Sequence, residues 1–322
     1  MTFEDFIKEW NSGSEFIEAH TSGSTGEPKI ILLEKKFVKE SAQRTIRFFG
    51  INSGSHLHSC VAADFIGGKM MAVRAFISGS GFSYEIPSNS PLKGLDPEQN
   101  LDLVAVVPSQ VLYILDNLKK LPEIRNLLIG GSPVHQDLRK KIVESGLSAY
   151  ESYGMTETAS HIALRKIDKI ENPFRLLPGI SISSDEENCL IIHFPHYKEI
   201  VTNDIVEIIS ENEFKILGRR DQMILSGGKK INPYDVEKRV DRIIPHPFVF
   251  IGIPDEKWSE KVVLLIEANN DIIEKNILMK KLSSILSKWE MPKEIIFLDK
   301  LPRTLNGKIK RKLDIAELTR KE

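Results

Sequence analysis

The residues best suited to chemistry begin with a run of small polar residues in the segment His20–Lys29. Its positions 21–26 are all Thr, Ser or Gly: Thr21, Ser22, Gly23, Ser24, Thr25 and Gly26. Such a loop offers backbone N–H groups and hydroxyl donors with little steric bulk, which suits phosphate oxygens, and Lys29 adds a positive charge. Because the spacing differs from GxxxxGK[ST], the segment predicts a phosphate-binding loop of another kind. The alternative is a flexible Ser/Gly turn.

A second segment, Tyr150–Ser160, combines an aromatic ring, a glycine, a hydroxyl and a carboxylate within five residues. These are Tyr153, Gly154, Thr156 and Glu157. The ring could stack on a base, the hydroxyl could bind a phosphate, and the carboxylate could hold Mg²⁺, which prefers one or two carboxylates beside phosphate oxygens. Taken alone the segment fits a surface loop, and its interest lies in its combination with the first.

Composition and charge exclude several classes of protein. The 322 residues are enough for about two domains, and 44 basic against 45 acidic side chains give no global positive field to attract nucleic acid. The two cysteines, Cys60 and Cys189, form no CxxC pair, so neither a disulfide scaffold nor a structural zinc site is expected. No apolar run approaches the roughly 20 residues that span a bilayer, and MTFEDFIKEW at the start lacks the features of a signal peptide. We therefore expect a cytoplasmic globular protein.

The elements that must position these residues belong to an α/β fold. Residues 15–20 and 30–35 have the pattern of strands, so the small-residue loop between them is expected to cap a hairpin. Further on, strands and helices alternate: a strand at Leu101–Val107, a helix at Gln110–Lys120, a strand at Leu127–Ile129 and a helix at His135–Ser145. This alternation predicts a large layered α/β N-terminal domain.

The rest of the chain predicts a smaller α+β domain. Thr202–Ile209 has the pattern of a turn at Asn203–Asp204 that enters a strand. We place the boundary near Gly218–Asp221, which gives domains 1–218 and 219–322. Beyond the boundary we expect a Gly-Gly turn, a helix from Pro233, a strand at Val262–Glu267 and a helix at Ile277–Trp289.

Four motifs occur in the order found in adenylate-forming enzymes, a superfamily that the chain resembles. They are HTSGSTGEPK, YGMTE, GRRDQMILSGGKKINPYDVE (218–237) and LPRTLNGKIKRKL (301–313). The superfamily contains acyl-CoA synthetases, firefly luciferase and the adenylation domains of peptide synthetases. Within it, the segments YGMTETASHIALRKI and GGKMMAVRA look most like ligases that join o-succinylbenzoate to CoA in menaquinone biosynthesis. The resemblance implies a ligase that uses ATP, Mg²⁺ and CoA to form an acyl-adenylate and then an acyl-CoA.

The resemblance assigns an ATP site to the first two segments and their neighbours. The Thr21–Lys29 loop would hold the β- and γ-phosphates. The other contacts would come from Gly131, Ser132 and Pro133 of the GGSP segment at the adenine edge, Tyr153 and Gly154 at the base, Thr156 at the α-phosphate and Glu157 at Mg²⁺.

The later motifs would supply the ribose site, the hinge and the CoA path. Asp204 would accept hydrogen bonds from the ribose hydroxyls with help from Arg219, and Asp221 would be the hinge to a small mobile C-terminal domain. Gly227 and Gly228 would let pantetheine pass close to the backbone, since they have no side chains.

Lys308 would be the catalytic lysine of this family. A carboxylate that attacks a phosphate brings two anions together, so a cation is needed where the charge concentrates. The alternative is a solvated basic tail, because the neighbours of Lys308 in LPRTLNGKIKRKL are themselves basic.

The acid substrate is expected to contact Lys69, Arg74 and His161. o-Succinylbenzoate has two carboxylates, so one must be bound while the other reacts. Arg74 matches an arginine in the ligases for this substrate, whereas Lys69 is chosen for its charge alone. The alternatives are ordinary surface cations on a helix and a structural histidine.

The chain departs from the family pattern in two places. Only 20 residues precede the small-residue loop, where the family usually has well over a hundred, and Asp64–Phe65 stands where an aromatic-His pair is common. Self-association is one way to cover the face that the shortened N-terminus would expose. The alternatives to an o-succinylbenzoate ligase are another aryl- or acyl-CoA ligase, a free-standing peptide-synthetase adenylation domain, and a catalytically idle homologue that binds nucleotide or acyl ligand.

Overall fold

The computed structural model describes residues 1–20, 29–169, 172–268, 274–303, 309–311 and 313. The chain forms two compact units. The N-terminal unit comprises Met1–Ser181, His193–Ile200 and Ser210–Phe214, and the C-terminal unit comprises Ile182–Ile192, Val201–Ile209 and the chain from Lys215 onward. Within the described residues, no helix is long and apolar enough to cross a membrane.

The N-terminal unit is built from five helices and eleven strands among its described residues. The helices are α1 (Phe3–Trp10), α2 (Lys35–Phe49), α3 (Ile66–Ser78), α4 (Pro108–Asn117) and α5 (Gln136–Ser145). The strands are β1 (Phe16–His20), β2 (Ile30–Glu34), β3 (His56–Ser59), β4 (Gly81–Tyr84), β5 (Asn100–Leu101), β6 (Leu103–Val106), β7 (Glu123–Ile124), β8 (Leu127–Ile129), β9 (Ala149–Met155), β10 (Ser160–Lys166) and β11 (Phe174–Leu176).

A parallel sheet forms the centre of the N-terminal unit. Its strands lie in the order β4-β3-β6-β8-β9, and β10 and β11 continue the sheet in antiparallel directions. Every residue of β6 and β8 is buried, as expected for parallel strands with both faces covered. The prediction of an α/β layered fold is confirmed.

The local predictions for this unit are confirmed with one correction. The predicted helices are present: α4 begins at Pro108 and continues as a 3-10 turn over Leu118–Lys120, and α5 has His135 as its N-cap. The predicted strand Leu101–Val107 is wrong as a single element, because it divides at Asp102. The Asp102 carboxylate accepts the His56 N–H at 2.8 Å, so it interrupts the run and separates β5 from β6.

The predicted hairpin around the small-residue loop is present on both sides of it. β1 and β2 pair antiparallel from Phe16↔Glu34 to His20↔Ile30. The loop residues 21–28 lie outside the described residues, so the predictions for Thr21–Gly26 remain predictions.

The C-terminal unit contains two sheet regions. The first region holds most of β12 (Ser181–Ser184), β13 (Cys189–His193), β14 (Ile200–Ser210) and β15 (Glu213–Arg219), which neighbour one another in that order. The second is a five-stranded sheet with two helices: β16 (Ile224–Ser226), β17 (Lys229–Ile231), α6 (Pro233–Val240), β18 (Phe248–Asp255), β19 (Ser259–Glu267), α7 (Lys275–Ser283) and β20 (Glu294–Leu298).

Helices and sheet of this second region share one core. Val236 of α6 and Leu282 of α7 are buried against Leu264 and Ile266 of β19. The α+β character and the helix from Pro233 are therefore as predicted. The predicted helix Ile277–Trp289 is too long, because α7 ends at Ser283. The hydroxyl of Ser283 donates to the Lys280 carbonyl at 2.9 Å, a contact that competes with further helical hydrogen bonds.

The predicted turn at Asn203–Asp204 is also wrong. Both residues lie within the continuous strand β14. Asp204 is buried and its carboxylate accepts a hydrogen bond from Arg219, so a tertiary ion pair outweighs the local turn preference of the two residues.

Candidate active site

Two predicted nucleotide-binding segments meet at one edge of the parallel sheet. Gly131, Ser132 and Pro133 follow β8 after one residue, Gly130, and Tyr153–Met155 ends β9. The two strands are parallel neighbours with Ile129 opposite Glu151, so their carboxyl ends lie side by side. Ligands of open α/β sheets bind outside the carboxyl ends of the strands.

A hydrogen bond joins the segment Tyr150–Ser160 to the start of the small-residue loop. The Thr156 hydroxyl donates to the carbonyl of His20 at 3.3 Å, and His20 is the last residue before the Thr/Ser/Gly loop. The fold therefore brings Thr156 to the start of a loop that lies 136 positions earlier in the chain. Lys29, at the other end of the loop, is exposed.

Glu157 is exposed in a short 3-10 turn, Thr156–Thr158, that follows β9. An accessible carboxylate beside a hydroxyl at this edge can hold Mg²⁺ together with phosphate oxygens. The donor set of the described residues thus fits the predicted metal role of Glu157.

The end of β9 requires a glycine, and the turn that follows has unusual backbone geometry. A Cβ at Gly154 would lie 2.3 Å from the Ser160 carbonyl oxygen and 2.4 Å from the His161 Cα. Ala159 and Ser160 both have positive φ, at 50° and 112°. Such conformations in residues other than glycine are strained, and strain of this kind clusters at functional sites.

Tyr153 packs in the core as well as ending β9. Its ring lies 5.8 Å from Phe174 and 5.4 Å from Phe214, and 9% of the residue is exposed. The structure therefore gives Tyr153 a packing role, and its contact with a nucleotide base stays a prediction.

Arg74 is a buried cation that lacks an acidic partner among the described residues. It lies in the C-terminal half of α3, where one Nη donates to the Ser160 hydroxyl at 3.1 Å and the other approaches the Met71 sulfur at 3.5 Å. Its Nε is buried with no hydrogen-bond acceptor in the described structure. Burial lowers the pKa of the guanidinium to about 9, so it remains charged at neutral pH.

His161 is adjacent to this cation and is neutral. Its Nε2 lies 3.0 Å from the Thr45 hydroxyl, and its Nδ1 lies 3.4 Å from the Ser160 hydroxyl. Burial, and then the charge of Arg74, hold the pKa of His161 well below its usual range. Arg74, Ser160 and His161 thus form a buried polar group whose positive charge has no acidic partner in the part of the chain that the structure describes.

Lys69 is on the same helix but has other partners. Its ammonium donates to the Glu18 carbonyl at 2.5 Å, lies 3.6 Å from the Glu9 carboxylate and sits over the Phe6 ring. Lys69 is buried and already paired. The structure therefore does not bring Lys69 to Arg74, and its contacts connect α3 with α1 and β1.

In the C-terminal unit, Arg219 connects the predicted ribose and hinge residues. One Nη donates to the Asp204 carboxylate at 2.9 Å, while Nε and the other Nη donate to the two carboxylate oxygens of Asp221, each at 2.9 Å. Bidentate pairs of this kind fix both partners. The structure thus unites Asp204, Arg219 and Asp221, which the sequence analysis assigns to neighbouring tasks.

Gly227 and Gly228 form the tight turn between β16 and β17, and both have positive φ, at 56° and 76°. A Cβ at Gly227 would lie 2.9 Å from the Trp289 ring and 3.1 Å from the Trp258 ring. Gly228 is exposed and its Cβ position is open. Lys308, the predicted catalytic residue, lies outside the described residues.

Sequence reasoning missed Thr45 and Ser160. Ser160 follows the YGMTE motif closely, so its position was a usable signal. Thr45 lies 116 positions from its partner His161, and nothing in the local pattern of α2 points to that contact.

Two protein-family models match the chain. The model of the AMP-binding enzymes matches residues 17–184, and the model of the AMP-binding enzyme C-terminal domain matches residues 248–308. The chain belongs to the AMP-binding enzymes, the superfamily of adenylate-forming ligases.

Individual relatives of known name are also similar to this chain. A 2-succinylbenzoate–CoA ligase of Bacillus mycoides (strain KBAB4) is 25% identical over 96% of this chain and 72% of its own length. An acyl-CoA synthetase (AMP-forming)/AMP-acid ligase II-like protein from Dyadobacter fermentans DSM 18053 is 33% identical, with a TM-score of 0.63 over 98% of this chain and 93% of that one.

The o-succinylbenzoate CoA synthetase (MenE) of Bacillus subtilis shares the fold. Its complex with the acyl-adenylate OSB-AMP superposes with a TM-score of 0.80 at 22% identity, over 95% of this chain and 69% of that one. The same protein in complex with ATP and magnesium ion gives a TM-score of 0.79 at 22% identity, over 91% and 68%.

Proposed function

We propose that the chain ligates o-succinylbenzoate to CoA at the expense of ATP, through an acyl-adenylate. The observation that carries the choice of acid is Arg74, a buried guanidinium without an acidic partner among the described residues. The names and bound ligands of the relatives support the same reaction.

The buried charge argues for an acid with two carboxylates. Burying an unpaired charge is strongly unfavourable, so such a charge persists where a ligand compensates it. The reacting carboxylate must meet the α-phosphate of ATP, and only a second carboxylate is free to pair with Arg74. Ser160 and neutral His161 add hydrogen-bonding groups without a second positive charge.

The first half-reaction joins the acid to AMP. An oxygen of the reacting carboxylate attacks the α-phosphorus, the bond to the β-phosphate oxygen breaks, and pyrophosphate leaves. We assign the β- and γ-phosphates to the Thr21–Lys29 loop, the α-phosphate to Thr156, and the charge where the two anions meet to Lys308. When bound at Glu157, Mg²⁺ neutralises part of the triphosphate charge.

The nucleoside is assigned its own set of residues in this proposal. Gly131, Ser132 and Pro133 border the adenine, with Tyr153 and Gly154 beside it. Asp204, oriented by Arg219, accepts hydrogen bonds from the ribose hydroxyls.

The second half-reaction transfers the acyl group to sulfur. The CoA thiolate attacks the acyl carbon, the bond to the AMP oxygen breaks, and AMP leaves. We place the domain boundary at 218/219 and the hinge at Asp221, so that a rotation there replaces Lys308 by the Gly227–Gly228 turn.

Acid specificity tests the proposal. Purified protein with ATP, Mg²⁺ and CoA is assayed for pyrophosphate and acyl-CoA, with o-succinylbenzoate, benzoate, succinate or a fatty acid as the substrate. Turnover confined to o-succinylbenzoate is expected. Turnover of a different acid would keep the two-step chemistry and overturn the substrate, and ATP binding without turnover of any acid would favour an idle homologue.

A further inference from the structure

A second group of chemically reactive side chains lies at the carboxyl ends of β3 and β4. His58 and Cys60 are two residues apart on extended chain, so their side chains project to the same face. Glu85 directly follows β4, which is parallel to β3, and its N–H donates to the Ser59 carbonyl at 3.1 Å. The parallel pairing thus places an imidazole, a thiol and a carboxylate together.

The ligand atoms of these three side chains are close to one another. One nitrogen of His58, the Cys60 sulfur and one Glu85 oxygen all lie within 4.8 Å of each other. His58 Nε2 is 3.8 Å from the nearer Glu85 oxygen. His58 and Cys60 are fully buried, whereas Glu85 is partly exposed.

The histidine is oriented as a metal ligand is. Its Nε2 is buried and has no hydrogen-bond partner in the described structure, while its Nδ1 lies 2.8 Å from the Ser83 hydroxyl. A buried nitrogen without a partner is unfavourable and needs an explanation. Ligating histidines typically hold their second ring nitrogen in a hydrogen bond of this kind.

The carboxylate is also held in place. Its two oxygens accept the backbone N–H of Leu92 at 3.2 and 3.0 Å. These contacts orient Glu85 toward the end of β3 and leave lone pairs for a further partner.

We propose that His58, Cys60 and Glu85 bind one divalent transition-metal ion, for which Zn²⁺ is the best-suited species. A nitrogen, a sulfur and an oxygen are the ligands that Zn²⁺ takes in proteins, and three protein ligands leave one position for water. As the zinc–sulfur bond forms, the Cys60 S–H bond breaks and its proton is released to solvent. The sequence predicts no zinc site because Glu85 lies 25 positions after Cys60 and outside any CxxC spacing.

The site is distinct from the magnesium site of the proposed function. Mg²⁺ favours oxygen ligands and substrate phosphates, whereas this group includes a thiolate and an imidazole. A metal ion here would join the ends of β3 and β4 just before the segment Val61–Phe65 that leads into α3. It would therefore stabilise the folded N-terminal unit.

Metal binding by the full chain tests the proposal. The protein is treated with a chelator, dialysed and titrated with Co²⁺, whose thiolate complexes absorb through charge transfer, and then with Zn²⁺. One equivalent of Co²⁺ should give the thiolate band, Zn²⁺ should remove it, and Zn²⁺ should raise the melting temperature.

Matched variants give the test its specificity. Cys60→Ser and Glu85→Gln should lose the band or weaken Zn²⁺ binding by at least tenfold, while Cys189→Ser, which changes the other buried cysteine, should behave as the wild type. Circular dichroism confirms that each variant is folded. The absence of stoichiometric binding by the wild type, or a band that persists in Cys60→Ser, would overturn the proposal.

Discussion

Arg74 and Lys69 are two buried cations on one helix, and they differ in their partners. Lys69 has a carboxylate and a carbonyl beside it, so its burial is balanced within the protein. Arg74 contacts a hydroxyl and a thioether, and no carboxylate pairs with it among the described residues. Lys69 is therefore paired within the fold, whereas Arg74 is the cation that we propose pairs with the acid substrate.

Replacing Arg74 should separate these roles. In Arg74→Gln, kcat/KM for o-succinylbenzoate should fall by about 100-fold or more, equivalent to about 3 kcal/mol, because the second carboxylate loses its cation. Steady-state pyrophosphate release measures the effect. Arg44→Gln is the matched control, since Arg44 is also a buried arginine but has Glu40 as its partner. Equal losses in the two variants would remove the substrate role of Arg74.

The role proposed for Lys308 gives a second prediction. Lys308→Ala should slow adenylate formation by a few hundred-fold, roughly 3–4 kcal/mol, because the anionic transition state loses a cation. The same variant should still convert supplied acyl-adenylate and CoA into thioester. The rates of the two half-reactions are measured separately. Similar losses in both would contradict the role proposed for Lys308.

The connection between β9 and β10 positions Ser160 relative to Arg74. Gly154 lets the two strands approach, and the positive φ values of Ala159 and Ser160 aim the Ser160 hydroxyl at Arg74. The strands pair as His161↔Gly154, so the segment proposed to bind the nucleotide and the group proposed to bind the acid share one connection.

A methyl group at Gly154 should disturb this connection. Gly154→Ala should lower the free energy of unfolding by about 2–3 kcal/mol, since the new Cβ meets backbone atoms that a rotamer change does not move. Urea denaturation measures the change. Gly13→Ala, with no atom within 4 Å of the added Cβ, should be close to neutral. A neutral Gly154→Ala would show that the strands can separate without penalty.

Local signals predicted elements well where the residues act on their own backbone. The helix from Pro233, which is α6, is an example. The break at Asp102 and the strand through Asp204 were missed, because distant partners decide them. The candidate site has the same limit. The sequence predicted that Arg74 and His161 belong to it, but their contacts with Ser160 and Thr45 depend on how α2, α3 and β10 pack.

Each unit has a hydrophobic core of its own among the described residues. Val104 and Ile129 belong to one core of the N-terminal unit, and Leu264 and Leu282 belong to one of the C-terminal unit. Because each unit buries its own apolar side chains, each is expected to unfold with its own transition.

Core substitutions in one unit should therefore act on one transition. Leu282→Ala should destabilise the C-terminal unit by about 2–5 kcal/mol through the lost contacts and the cavity. Calorimetry should show one transition shifted down and the other unchanged, with Val104→Ala giving the reverse pattern. A single transition that shifts in both variants would mean that the units unfold together.

The Arg219 guanidinium donates both to Asp204, which we propose binds the ribose, and to Asp221, which we propose is the hinge. A backbone movement at Asp221 that breaks two of these hydrogen bonds also changes the group that orients Asp204. Free-energy linkage then requires reciprocity: the factor by which a bound nucleotide shifts the hinge equilibrium is the factor by which the hinge shifts nucleotide affinity. In the proposed reaction, product AMP and the hinge would thus report on each other through three hydrogen bonds of a single side chain.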